Sequence, residues 1–144
     1  MHIEHIATRI IDRLDHRPGD VPIDHRYRRR WWLPVIGPTA TILLDHLTES
    51  TVPDWQIHDT ADLATSLGLG ARTGVHSPLV RTFDRICRFG FGTFDIEPGH
   101  PDADPCVTLW ATIGLVPERT TSRWPEAMQQ AHAIDLAALH RAAV

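Results

Sequence analysis

Apolar residues at Ile3, Ile6, Ala7, Ile10, Ile11 and Leu14 recur at spacings of three and four. That spacing predicts an amphipathic helix over 3–14, with Glu4, Arg9, Asp12 and Arg13 on its outer face. Residues 15–24 contain Pro18, Gly19 and Pro22 and read as a linker. Gly37-Pro38 opens a second helix, since proline at the first helical position lacks only an N–H that would have no partner there. Ile36, Ala40, Leu43, Leu44 and Leu47 form its apolar face. Trp55-Gln56-Ile57-His58 predicts a short strand, and Asp59 or Thr60 caps a third helix that buries Leu63, Ala64 and Leu67 and stops at Gly68. After a turn over 70–76, Ser77-Pro78 starts a fourth helix running to about Phe89. Alternation then predicts strands over 91–97 and 106–113, joined by a proline- and aspartate-rich tip. Ser122 is expected to cap a last helix reaching Ala142, with Trp124, Ala127, Met128, Ala131, Ile134 and Leu139 as its stripe.

The fourth helix carries the sharpest separation. At about 100° per residue, Leu79, Val80, Phe83, Ile86 and Cys87 gather on one side, and Arg81, Arg85 and Arg88 gather opposite. A buried apolar face leaves the guanidinium groups in solvent, where arginine reads guanine edges or binds phosphate. The expected base readers are Arg81, Thr82 and Arg85. Arg72, His76 and Arg88 are expected along the phosphates, and Ser77, the helix cap, is counted among the DNA-binding residues. Asp84, one turn from Arg81 and Arg88, is placed to pair with either and weaken that field.

The segments 32–40, 61–70 (ADLATSLGLG) and 76–90 (HSPLVRTFDRICRFG) resemble winged helix-turn-helix proteins, in particular a small uncharacterised family from high-GC bacteria. The resemblance spans roughly 30–115. It implies an α+β, mainly helical fold with extra N- and C-terminal helices, and a sequence-specific double-stranded DNA-binding protein acting as a transcriptional regulator through the helix 77–89 in the major groove. The organisation then reads as an N-terminal helix and arm (1–30), the winged helix-turn-helix domain (31–116) and a C-terminal helix (117–144). The resemblance further implies a homodimer joined through the terminal helices. The wing departs from the pattern, because Asp95, Glu97, Asp102 and Asp104 crowd it and would repel phosphate.

Charge supports the DNA reading locally and opposes it in sum. The formal net charge of the 144 residues is −4, whereas phosphate contacts dominate DNA affinity. All 14 basic residues are arginine, and they concentrate in 1–35 and 71–94. Arg28, Arg29 and Arg30, beside Tyr27, Trp31 and Trp32, are the densest basic-aromatic cluster. They read as an arm on the DNA backbone, or else as lids over indoles that enter the core. The acidic total favours the alternative function, a winged-helix protein–protein interaction module that does not bind DNA. A weaker third reading is a ligand-responsive regulator with a pocket of Trp31, Trp32 and Trp124.

Other chemistry is thin. Cys87 and Cys106 fall in apolar surroundings and form no Cys-x-x-Cys pair. The ten histidines show no closed metal spacing. Gly68–Gly74 follows a helix and lacks the lysine of a phosphate loop. No enzyme, cofactor or metal is expected. With no long apolar run and no signal sequence at Met1, the expected location is cytoplasmic, away from membranes.

Overall fold

A computed structural model describes residues 2–15, 17–50, 54–70, 72–95 and 104–142. The fold is α+β. Strands β1 (His5–Ile11), β3 (Gln56–Asp59), β4 (Gly92–Asp95) and β5 (Cys106–Trp110) form one mixed sheet in the order β3-β1-β5-β4. β2 (Val21–Pro22) and β6 (Thr112–Ile113) form a small antiparallel pair. The helices are α1 (Leu33–Ile36), α2 (Pro38–Thr48), α3 (Thr60–Ser66), α4 (Pro78–Arg88), α5 (Glu118–Thr121) and α6 (Glu126–Ala142). A π-helical turn, Arg28–Trp32, runs directly into α1.

The expected N-terminal helix is instead β1. It lies inside the sheet, antiparallel to β3 and parallel to β5. Ile6, Ala7 and Thr8 are all buried. A central strand with both faces covered loses the alternation that would have marked it, and its apolar spacing then mimics a helix. The β-branched side chains of Ile6, Thr8, Ile10 and Ile11 favour the extended form. Just before β1, the Ile3 N–H donates to the Thr73 carbonyl at 2.9 Å, pinning the turn that precedes α4.

The middle elements match the sequence reading closely. Asp59 accepts from the Asp62 N–H and caps α3, and Gly68 follows at φ 74°. Leu43, Leu44, Leu79, Phe83 and Ile86 are fully buried where α2 packs against α4. β4 and β5 pair antiparallel, placing Gly92 opposite Leu109. A Cβ at Gly92 would lie 2.0 Å from the Thr108 carbonyl oxygen, so the strands meet here only with glycine. Most of the expected acidic tip, Glu97 and Asp102 included, falls outside the described residues; Asp95 and Asp104 are exposed.

The last helix begins later than expected. Ser122 closes α5, and α6 starts after Pro125, leaving Trp124 outside it. Met128, Ala131, Leu136 and Leu139 pack partly against the core, but Ile134 is 68% exposed. Among the described residues, no helix is long and apolar enough to cross a membrane.

The Arg28–Arg30 arm is the largest correction. The Arg28 side chain is fully buried. Its Nε donates to the Ile23 carbonyl at 2.7 Å, one terminal nitrogen to the Thr41 carbonyl at 3.3 Å, and the other to Asp45 at 2.7 Å. Burial pulls the guanidinium below its ordinary pKa, opposed by Asp45. An arginine stays charged under such a shift, so its donors must be satisfied inside. Arg29 shares Asp45 at 3.2 Å, and Arg30 pairs with Asp135 while lying over the Trp31 ring at 4.6 Å. Trp31 and Trp32 enter the core, as the lid alternative anticipated. Trp31 stacks on Trp124 and Trp32 meets Phe91 edge-on, so the Trp31 and Trp32 rings are spent on interior packing.

One carboxylate therefore serves two arginines in different surroundings. Arg28→Ala should lower stability by about 3 kcal/mol, because it breaks a buried charge pair, whereas the exposed Arg29→Ala should cost under about 1 kcal/mol. Urea denaturation of the two variants at neutral pH checks this; equal losses would contradict the buried role of Arg28.

Candidate nucleic-acid interface

α4 is built as its sequence indicates. The Ser77 hydroxyl accepts from the Val80 N–H, and Pro78 occupies the first turn. Leu79, Val80, Phe83 and Ile86 point into the core. Arg81, Arg85 and Arg88 lie on the exposed side. Shallow grooves run along both flanks of this ridge. One is lined by Arg81, Thr82, Asp84, Arg85, Arg88 and Phe89, the other by Val75, His76, Val80, Arg81, Asp84, Arg88 and Phe94. Arg81, Asp84 and Arg88 belong to both.

The three arginines are not equivalent. Among the described residues, Arg81 makes no hydrogen bond or ion pair. Arg88 pairs with Asp84 at 2.8 Å across one helical turn, but its side chain is 78% exposed. An exposed pair of this kind is weak and exchanges readily for another anion. Arg85 is held. Its Nε donates to the Ile36 carbonyl at 3.0 Å and a terminal nitrogen to the Val35 carbonyl at 3.1 Å. These are the last carbonyls of α1, which ends at Gly37 (φ 89°) and leaves them without partners inside the helix. Arg85 thus closes the end of α1 from a different helix and ties α4 to the Trp31–Trp32 region. Its guanidinium also lies 5.6 Å from the Phe89 ring centre.

Two other expected contact residues are turned inward. Ser77 is buried, with its hydroxyl spent on the cap. Thr82 is buried, and its hydroxyl donates to the Pro78 carbonyl at 2.7 Å. Arg72 and His76 are exposed on the approach to α4. Of the arm, Arg28 belongs to the core, whereas Arg29 and Arg30 are exposed and paired with Asp45 and Asp135. The structure therefore brings together Arg81, Arg88 and His76 around one ridge, takes Arg28 and Ser77 away from it, and leaves Thr82 in the groove wall with its hydroxyl spent on the Pro78 carbonyl.

The role of Arg85 escaped sequence reasoning. Its signal was indirect: the Gly37 break leaves two orphan carbonyls, and only a long donor can reach them. Cys87 carries no reactive chemistry, since burial, with Asp84 and Asp95 adding, pushes its thiol up to about 12. His46 and His58 share a shallow pocket with Asp59 and Asp62. Among the described residues, however, no group of three or more His, Cys, Asp or Glu is placed to hold a metal ion.

This division of roles is measurable without a ligand. Arg85→Ala should destabilise by about 1–3 kcal/mol, because it strands two carbonyls that had a charged donor. Arg81→Ala should stay within about 0.5 kcal/mol of wild type. Thermal or urea unfolding distinguishes them, and the reverse order would overturn the assignment. No protein-family model, curated protein or solved structure matches this chain.

Proposed function

We propose that this chain is a sequence-specific double-stranded DNA-binding protein, a transcriptional regulator that lays α4 into the major groove. The observation that carries the reading is Arg81: an exposed guanidinium with no partner among the described residues, near the N-terminal end of a helix whose opposite face is buried. Recognition helices read bases from that end. Arg81 takes the base-reading role. Arg88, Arg72 and His76 hold phosphate, with Arg88 exchanging Asp84 for the nucleic acid. Arg85 sets the position of α4 through the α1 carbonyls.

The order α2, β3, α3, α4, β4, β5 follows that of a winged helix-turn-helix. Within this reading, β1 is an addition that separates β3 from β5. The link from α3 to α4 is a long turn pinned by Ile3 in place of a tight one. Pairing of two copies through an N-terminal helix is excluded because that segment is β1; α6 alone remains for it.

A second reading, the protein-interaction module, draws on a different observation. Leu33 (37%) and Phe89 (41%) are exposed large apolar residues, Phe89 at the end of α4 and Leu33 opening α1, which Arg85 ties to it. Asp84 interrupts the cationic ridge beside them.

Salt separates the two. Binding to mixed genomic DNA fragments, followed by fluorescence anisotropy, should weaken on the order of 10²-fold between 50 and 200 mM salt if about four phosphates are engaged. Arg88→Ala should flatten that dependence by roughly one phosphate contact, and adding Arg81→Ala should weaken binding further with little additional change in the slope. Absence of binding at 50 mM salt would refute the DNA reading in favour of the protein module.

A further inference from the structure

We propose that α6 is a strap whose docking is latched by His132 and released by protonation of that imidazole. The cluster lies outside α4 and is independent of DNA binding. Of the 17 residues of α6, only His132 is buried. Its Nε2 lies 2.8 Å from the Tyr27 hydroxyl, and the same hydroxyl oxygen accepts the Val116 N–H at 3.1 Å. The imidazole meets Trp31 and Trp124 edge-on at 4.9 and 5.4 Å.

The hydrogen bonds here are all satisfied in one protonation state. A tyrosine hydroxyl has one proton to give and two lone pairs. Val116 occupies one lone pair of that oxygen, so the arrangement that satisfies every donor has Tyr27 giving its proton to Nε2 of a neutral His132 that carries its hydrogen on Nδ1. Protonation would place a second donor against the Tyr27 proton, at a hydroxyl that is 2% exposed as part of Tyr27. One donor would then lack an acceptor, and a cation would sit between two indoles away from water.

The surrounding charges do little to rescue it. Asp135 lies one turn further along α6, but its carboxylate already receives Arg26 at 3.4 Å, Arg30 at 3.0 Å and the Trp31 indole N–H at 2.8 Å. In the segment that carries Tyr27, the His25 imidazole is spent locally, its Nδ1 accepting the Tyr27 backbone N–H. Val116, Trp31 and Trp124 contribute no charge. Burial accordingly holds His132 below its ordinary value, with Asp135 opposing. The sign follows: the docked state binds fewer protons than the free helix. Docking is complete above the ordinary imidazole value of about 6.5 and is lost as pH falls through and below it.

Release would uncover Trp31 and Trp124 while β1, β5 and the α2–α4 packing stay intact. Hydrogen exchange of the full chain tests this through protection factors at pH 7.5 and 5.0. Wild-type α6 should lose about tenfold or more of its protection at the lower pH, while β1 and β5 keep theirs. His132→Gln, which accepts the Tyr27 proton and does not titrate, should show a flat profile. Unchanged wild-type protection in α6, loss in step with β1 and β5, or an equally steep profile in His132→Gln would each overturn the latch. If His132→Gln undocks at every pH, the wild-type comparison of α6 with β1 and β5 decides alone.

Discussion

The Arg28 guanidinium holds together three pieces of chain that share no secondary-structure ladder: the turn at Ile23, the start of the π-helical turn, and α2 through Thr41 and Asp45. A fully buried cation imposes this arrangement, because leaving any of its donors unpaired would be strongly unfavourable. Once Arg28 is fixed, the adjoining helical turn has one orientation. It sends Trp31 toward α6 and Trp32 toward Phe91 and the Gly114 carbonyl. Two other arginines extend the same logic outward. Arg30 anchors Asp135 of α6, and Arg85 of α4 closes α1. In this protein much of the arginine content is internal connection, and the surface left for a partner is narrower than the sequence suggests.

Elements defined by local chemistry were legible in the sequence. Ser77-Pro78, Asp59 and the Gly37-Pro38 opening each set a helix start through interactions within four residues. The two faces of α4 were legible because its burial is one-sided. β1 was not, because its burial is two-sided and its partners stand about 50 and 100 residues away. The Arg28–Arg30 cluster failed for a related reason. Sequence gives the number of cations but not where Asp45 and Asp135 fall in space, and those two carboxylates decide which arginines are available. Thr82 and Ser77 illustrate a smaller version: a hydroxyl on a helix satisfies itself on nearby backbone before it meets a ligand, Thr82 on the carbonyl one turn back and Ser77 on the N–H of the first turn ahead.

What remains on α4 is a graded set of cations. Arg85 is committed to the fold, Arg88 is shared with Asp84, and Arg81 is uncommitted. That gradient suits a surface that must stay well positioned yet exchange partners. A side chain with no internal bond breaks none on binding and gives up only its own freedom and hydration, and the neighbouring held side chain keeps the helix from shifting as it binds. The proposed contact therefore depends on an internal constraint, since the position of α4 follows from carbonyls at the end of α1.

The most direct test of α4 as the DNA-contacting surface is residue-resolved NMR of the labelled full chain titrated with a double-stranded oligonucleotide library in low salt. The account expects perturbations concentrated at residues 76–88, with the Arg81 side-chain Nε–H signal among the most affected and the Arg28 signal unmoved. Perturbations centred on another face, or none at saturating DNA, would contradict it.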